Sequence, residues 1–442
     1  MDHAAPDHAA LLRERLRSRS AHVLVAGLGY VGLSLAVALA RSGFRVTGVD
    51  VDLERVSLVN AGTSYIGDVR REDLAAVVAA GRLAASTDYQ AGGDADALVI
   101  CVPTPLRKSK EPDISFILAA MESLLPVLRP GQLLVLESTT YPGTTEEVLQ
   151  PRLEARGFTI GRDYFLAFSP ERVDPGNTEF TTANIPKVVG GVTAACTALA
   201  AELYGAVTAR VHRVSSPRVA ETAKLLENTF RSVNIALANE LALACRAIGV
   251  NPWEVLEAAA TKPFGFMPFY PGPGTGGHCI PLDPLYFSWR LRLSGFETRF
   301  IALADEINHA MPRHVVGLVT DALNDRGRCV RGARILVLGV TYKRDVADVR
   351  ESPALEIIRL LQQRGANVAY SDPYVPELTV GDDKLTSAPL TQRTLAASDC
   401  AVVVTDHRVF DYALIAREAP LVVDVRNALG RIQEHRRKIV TL

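Results

Sequence analysis

Short apolar runs, each closed by glycine or a charged residue, divide the chain into three zones. The run His22–Ala26 is long enough for one buried strand; after the glycines at 27–32 a helical period covers residues 33–42. Arg45–Val49 reads as a second strand ending at Asp50, and further strands are predicted at 97–102, 132–137 and 187–191. Strands alternating with helices over 21–205 predict a parallel, doubly wound sheet. Beyond Pro217 the period becomes that of one long helix, which ends before Asn251-Pro252 because proline disfavours helix in the residue preceding it. Helical patterns follow at 253–260, 283–293 and 302–323, the last with a break expected near Pro312. A second series then opens with a strand inside 332–340, a helix over 353–364 and a strand over 367–370 that ends at Asp372. Strands at 400–405 and 421–424 complete it.

The turn after the first strand is Gly27-Leu28-Gly29-Tyr30-Val31-Gly32, the G-x-G-x-x-G dinucleotide fingerprint between a strand and a helix, with an acidic residue at the end of the next strand. Gly27 serves the tight turn, Gly29 the approach of backbone to a pyrophosphate, and Gly32 the packing of helix on strand. The helix N-terminus at Tyr30 and Val31 would receive the pyrophosphate. Asp50 would accept the ribose hydroxyls and repel a 2′-phosphate, so the expected cofactor is NAD, with the nearby Arg55 as the one feature favouring a phosphate. Two loops follow strand C-termini, where open α/β sheets bind ligands: Val102-Pro103-Thr104-Pro105 and Glu137-Ser138-Thr139. The fold class expected is α/β. Two Rossmann-like doubly wound parallel-sheet domains, at 21–205 and 326–442, flank an all-helical central domain at 206–325. The turn of the second domain, Thr341 to Arg350, is longer, basic and lacks the second and third glycines, so it should bind a nucleotide differently.

Composition narrows the class. The 442 residues carry a net charge of −1, so no global field selects nucleic acid or membrane, and an anionic ligand must be held by local cations. No segment has the uninterrupted apolar length of a membrane span. Residues 1–20 are polar with scattered charges, read as a frayed extension or a short helix rather than a secretory signal. Six cysteines at 101, 196, 245, 279, 329 and 400 form no C-x-x-C pair, which argues against a disulfide framework or a zinc site and for a reducing cytoplasm. No metal is expected.

One thiol stands apart. Gly272-Pro273-Gly274-Thr275-Gly276-Gly277-His278-Cys279 puts Cys279 at the end of a glycine-rich loop, with Asp283 one helical turn on. That loop is consistent with a nucleophile presented to a bound molecule or with an inert core thiol. Lys224 and Asn228, four apart on the long helix, share a face, which by itself is also the pattern of a solvated helix surface. His278 reads as a packing or substrate-positioning residue, with a proton shuttle as the other reading.

Together these pieces resemble the UDP-glucose/GDP-mannose dehydrogenase family from about residue 21 to the C-terminus. The motifs in family order are the glycine fingerprint, Val102-Pro103-Thr104-Pro105, Glu137-Ser138-Thr139, Ser169-Pro170-Glu171-Arg172, Lys224-Leu225-Leu226-Glu227-Asn228, the Cys279 loop, and Lys343 with Asp348-Val349-Arg350-Glu351-Ser352. Ser-Pro-Glu-Arg, Gly-Gly-His-Cys-Ile-Pro and Ser64-Tyr65-Ile66 are most similar to the N-acetylhexosamine branch. Two departures stand out: Val102 replaces an asparagine common in the family, and Val349 interrupts paired aspartates. The resemblance implies oxidation of a sugar C6 alcohol to a carboxylate by two NAD molecules through a thioester on Cys279. Lys224 and Asn228 would form the oxyanion site. Asp283 would hold a water or ease proton transfer, Glu171 would serve as base for the hydrolytic water, and Thr139 would orient that water or touch the nicotinamide. The implied cofactor contacts are Gly27, Gly29, Tyr30, Val31, Gly32, Asp50, Arg55, Thr104, Thr139 and Arg350. The UDP-sugar would meet Glu171, Lys224, Asn228, Phe269, Tyr270, Gly274, Gly276 and Lys343. UDP-N-acetylglucosamine is the expected substrate, UDP-glucose or dTDP-glucose the alternative, and a silent nucleotide-sugar sensor the remote one. A two-electron dehydrogenase of the 6-phosphogluconate or hydroxyacyl type is a rival that would need no thiol. A homodimer through the long helix is expected.

Overall fold

The computed structural model describes residues 6–107, 109–173, 179–181 and 183–442. They group into two compact units: residues up to 227 with 285–295, and 228–284 with 296–442.

In the first unit, strands β1 (His22–Ala26), β2 (Arg45–Val49), β3 (Leu83–Ser86), β4 (Ala97–Ile100), β5 (Leu133–Leu136), β6 (Phe165–Phe168), β7 (Lys187–Gly191) and β8 (Val211–Val214) form one sheet. Their spatial order is β3-β2-β1-β4-β5-β6-β7-β8. Residues alternate across it: Val23, Val25, Val99 and Val135 join the core on one face, while Leu24, Leu98, Ile100 and Leu134 join the core on the other. Both faces are covered, which is why these strands read as continuous apolar runs. The order reverses between β1 and β4, and that switch point is where such sheets open a ligand crevice. The expected doubly wound sheet is present with one departure, because β7 runs antiparallel to β6. The sheet also reaches past the expected domain end at residue 205. β8 pairs with β7 there, but as a half-exposed edge strand it lacks the apolar signature of the others.

Within residues 1–20, His8–Arg17 is the short-helix alternative; residues 1–5 lie outside the described ones. Asp7 caps it through the Ala10 amide at 3.0 Å. Leu12 and Leu16 are buried in the sheet core.

In the second unit β9 (Arg334–Leu338), β10 (Asn367–Ser371), β13 (Cys400–Val403), β14 (Val422–Asp424) and β15 (Ile439–Thr441) form a parallel sheet in the order β10-β9-β13-β14-β15. Beside it lies a separate hairpin of β11 (Glu377–Val380) and β12 (Asp383–Thr386). The helices of the middle section fall partly in one unit and partly in the other. Two helices depart from expectation. Arg299–Asn324 runs unbroken through Pro312, because Met311, Val315, Val316 and Val319 are fully buried along one face and outweigh the lost amide bond. The helix expected over 283–293 begins four residues earlier, at Cys279.

Candidate active site

The crevice of the first sheet is built by three loops. Gly27 has φ +92°, and a Cβ on it would lie 2.5 Å from the Cys101 carbonyl oxygen; one on Gly32 would lie 1.8 Å from the Gly27 carbonyl oxygen. Those two glycines are demanded by the fold itself. Gly29 is different: it has ordinary extended backbone, and a Cβ there would meet nothing within 4 Å. The protein gives no internal reason for its missing side chain. Open space over the uncapped N-terminus of helix Tyr30–Arg41 fits a pyrophosphate. Tyr65 locks the turn by donating to the Leu28 carbonyl at 2.6 Å, which gives Ser64-Tyr65-Ile66 a structural role.

Asp50 is buried. It accepts the Leu28 amide at 2.7 Å and the Asp52 amide at 3.0 Å. Arg55 lies 3.5 Å from Asp50 and 3.4 Å from Asp52. Engaged by two carboxylates, Arg55 is a poor receptor for a 2′-phosphate, and the site fits NAD. Ser138 joins the two remaining loops by donating to the Val102 carbonyl at 2.8 Å. Only the backbone of residue 102 takes part in that bond, so valine serves as well as asparagine. Thr104 is buried, and its carbonyl accepts Tyr286 Oη at 2.7 Å; Thr139 is half-buried.

Beneath the Glu137-Ser138-Thr139 loop lies an ionic cluster that sequence reasoning missed. Lys187 Nζ bonds Glu137 and, at 2.8 Å, Glu171. Tyr204 Oη donates to Glu137 at 2.5 Å. Burial works against ionised Glu171, but Lys187 together with the Arg172 and Val173 amides, at 2.8 and 2.7 Å, outweighs it and holds the group down to about 2. Burial pushes Glu137 up to about 7 against the pull of Lys187. One ammonium neutralises one carboxylate; the better-solvated Glu171 claims it, so Glu137 is the member that takes a proton near neutrality. Lys187 also sat unnoticed because it begins a strand, where a lysine is ordinarily an edge charge.

Lys224 and Asn228 lie on the 31-residue helix Pro217–Ala247; Lys224 is buried and Asn228 half-buried. One turn before Lys224, buried Glu221 accepts the Gly143 and Thr145 amides, at 2.6 and 2.9 Å. The helix is thereby fixed to the loop that follows Thr139.

In the second unit Cys279 is exposed and is the first residue of its helix. Helix N-termini favour thiolate over thiol. Asp283, one turn on, is 1% exposed and accepts a hydrogen bond from Asn228 Nδ2. Asn228 and Asp283, paired only as roles in the sequence, are thus in contact. The glycines before Cys279 have a packing reason. A Cβ on Gly276 would lie 2.7 Å from the Glu351 carbonyl oxygen, and one on Gly277 (φ +82°) 2.8 Å from the Tyr342 ring. The Gly277 amide donates to the Arg350 carbonyl at 2.9 Å. The glycine loop is therefore pressed against the basic loop. Gly274 sits against the Asn308 carbonyl, and buried Asn239 ties Gly272 to Asn308 through bonds of 2.9 Å each. His278 is half-buried.

Phe269 packs edge-on against Phe230, and Tyr270 stacks on Trp253. Lys343 and Arg350 both lie on the basic loop of the second unit; Arg350 pairs with Asp348 at 2.6 Å. Val349 packs, half-buried, against the core of the second unit, a contact an aspartate would forfeit. Sequence reasoning missed Arg344, which pairs with Asp406, and Arg426, whose guanidinium lies where a Cβ on Gly272 would be 2.8 Å away. It also missed buried His407. Among the described residues no group of three His, Cys, Asp or Glu could hold a metal ion. No described helix is long and apolar enough to cross a membrane.

Three profiles of one family match the chain: the NAD binding domain of the UDP-glucose/GDP-mannose dehydrogenase family over 21–208, its central domain over 218–310, and its UDP binding domain over 336–431. The chain is 38% identical over 355 residues to UDP-N-acetyl-D-glucosamine 6-dehydrogenase of Pseudomonas aeruginosa, covering 80% of this chain and 83% of that one. It is 35% identical over 393 residues to UDP-N-acetyl-D-mannosamine dehydrogenase of Methanococcus maripaludis, covering 88% and 86%. Among solved structures, a UDP-D-ManNAc dehydrogenase from Pyrococcus horikoshii superposes with a TM-score of 0.85 at 33% identity, covering 93% of this chain and 96% of that one. With all three domains matched and the dinucleotide crevice formed, the chain belongs to the UDP-glucose/GDP-mannose dehydrogenase family and is an NAD-dependent oxidoreductase acting on a UDP-sugar.

Proposed function

We propose that the chain oxidises the C6 hydroxyl of a UDP-N-acetylhexosamine to the carboxylate with Cys279 as covalent nucleophile, and that the sugar is N-acetylglucosamine. The observation that carries this reading is Cys279 exposed at a helix N-terminus, with Asp283 buried one turn below and bonded to Asn228. Gly27, Gly29, Tyr30, Val31, Gly32, Asp50, Thr104 and Thr139 are the residues that would hold NAD. When bound, NAD accepts one hydride at each of two oxidations.

The chain's own residues do the rest. Asp283 receives the proton of the C6 hydroxyl as the alcohol becomes an aldehyde. The Cys279 thiolate then adds to the aldehyde carbon, forming a C–S bond and placing negative charge on oxygen. Lys224 and Asn228 stabilise that oxyanion, whose collapse with loss of hydride leaves a thioester. Water breaks the C–S bond, giving the carboxylate, the free thiolate and two protons. Glu171, held near about 2, is a weak base, so we assign it to orienting the water and the sugar rather than to taking the proton. Lys343, Arg344 and Arg426 supply cations for the diphosphate, with Arg350 and Tyr270 beside them.

The acetamido-sugar reading rests on the names of the relatives above. A UDP-glucose dehydrogenase from Pyrobaculum islandicum superposes at a TM-score of 0.80 and 30% identity, which keeps UDP-glucose as the second reading. NADH release across UDP-, dTDP- and GDP-sugars decides between them. Two NADH per UDP-N-acetylglucosamine is expected, and turnover of UDP-glucose alone would overturn the sugar assignment. We further infer a homodimer through the long helix, where Leu226, Phe230 and Leu237 expose a run of apolar side chains. A cytoplasmic location accords with six cysteines spread along the chain without a C-x-x-C pair.

A further inference from the structure

His407 is fully buried in the second unit, between Tyr374 and Phe410, with ring centroids 5.0 and 5.2 Å away. The backbone amide of Asp345 points at its Nδ1 from 3.0 Å. An amide only donates, so Nδ1 must be bare and the ring hydrogen sits on Nε2, which donates to Asp372 Oδ2 at 3.0 Å. Asp345 is a non-glycine residue at φ +60°, a conformation that persists only where its surroundings hold it. Its carboxylate accepts the Arg408 amide at 3.0 Å and lies 3.4 Å from Tyr374 Oη. Four residues earlier, the Thr341 hydroxyl donates to the Lys343 carbonyl at 2.8 Å, and Thr405 donates to the Thr341 carbonyl at 2.6 Å. Lys343 and Arg344 therefore lie between two anchors, Thr341 and Asp345, and the His407 ring stands behind the second.

We propose that His407 is a positioning residue for the nucleotide diphosphate. As a hydrogen-bond acceptor for the Asp345 amide, it holds the basic loop in the strained shape that presents Lys343 and Arg344 to the phosphates. The inference rests on the reading above that this loop binds the UDP moiety. Asp372, the counterpart of Asp50 in this sheet, is engaged by the same imidazole.

Asparagine and glutamine divide the two bonds of the ring. His407→Asn can place an oxygen where Nδ1 stands, keeping the acceptor for Asp345 and losing the donor to Asp372. His407→Gln can place an amide nitrogen where Nε2 stands, keeping the donor and losing the acceptor. Calorimetric titration of the full chain with UDP, without NAD, reads the consequence. His407→Gln should weaken UDP binding about tenfold, the ordinary effect of leaving a buried amide unpaired, while His407→Asn stays within about threefold of native. Both should lose similar thermal stability, so a purely structural role would move them together. Equal losses of affinity, or native affinity in His407→Gln, overturns the proposal. A native chain that binds no UDP sinks the loop reading and this inference with it. Where a variant fails to fold, nitrogen NMR of the native chain labelled on histidine decides: a bare Nδ1 is expected at His407, and a hydrogen on Nδ1 overturns the proposal.

Discussion

In the first sheet Asp50, after β2, accepts the Leu28 amide at 2.7 Å; in the second, Asp372, after β10, accepts the Val340 amide at 2.7 Å. Gly27 and Gly339 both take positive φ, +92° and +79°, and each would drive a Cβ to within 2.5 Å of a carbonyl oxygen of the segment after the neighbouring strand. The two frames are the same to this level of detail. They part at the outer side of the acid. Each acid also accepts the amide two residues on, from Asp52 and from Tyr374, but Asp372 Oδ2 takes the buried His407 ring at 3.0 Å where Asp50 Oδ2 has Arg55 at 3.5 Å. A strand–turn–helix–strand frame thus specifies a place for a nucleotide, and a few side chains around the acid decide which part of it is bound there.

The comparison is broken first at the turns. Gly27→Ala should cost about 3 kcal/mol of stability, from the left-handed backbone and the overlap with Cys101, seen as a lowered denaturant midpoint. Gly29→Ala should leave that midpoint unchanged and raise KM for NAD about tenfold, because its Cβ enters only the open space. Equal losses of stability would erase the distinction between a glycine required by the fold and one required by a ligand.

The acids come next. Asp50→Asn should raise KM for NAD several-fold and leave UDP affinity alone. Asp372→Asn should do the reverse, through the loop, with titration of each ligand as the readout. Ionisation of Asp372 is favoured despite burial, because His407 and the Val340 and Tyr374 amides outweigh desolvation. Its stabilising contribution is therefore present above the ordinary carboxylate range and lost as pH falls below it.

A last contrast concerns the buried cluster of the first sheet. Glu171, held down to about 2, contributes stability above pH 4.5 that disappears as pH falls toward 2. Glu137 has the opposite sign: with its pKa raised to about 7, the native state holds a proton that the unfolded chain has released, so stability declines as pH rises from 4.5 to 7. At the most that decline is about 3 kcal/mol. In Glu137→Gln the neutral limb of the stability–pH curve should flatten and the acid limb remain. A curve unchanged between pH 5 and 7 would show that Glu137 is ionised throughout.

Much of this was legible in the chain. β1, β2 and β7 were read to the residue, because strands buried on both faces appear as apolar runs closed by glycine or charge. Strand direction was not: the burial pattern of β7 is the same whether it runs with or against β6. The early start of the Cys279 helix was hidden by Pro281, which a first turn tolerates, and by Pro284, which stands inside the helix. Within the site, residues carried by contiguous motifs were named from sequence, whereas Lys187 with Glu137, and His407 with Asp345, are separated by 50 and 62 positions. No local pattern announces such pairs; only the folded sheet brings them together.

The central claim is tested most directly by the mass of the intact chain, quenched during turnover of UDP-N-acetylglucosamine with NAD. The account predicts a sugar adduct that maps to Cys279, and a Cys279→Ser variant that forms uronate at least about 1,000-fold more slowly. An unmodified Cys279 in the quenched chain, together with uronate formed at the native rate by Cys279→Ser, would contradict it.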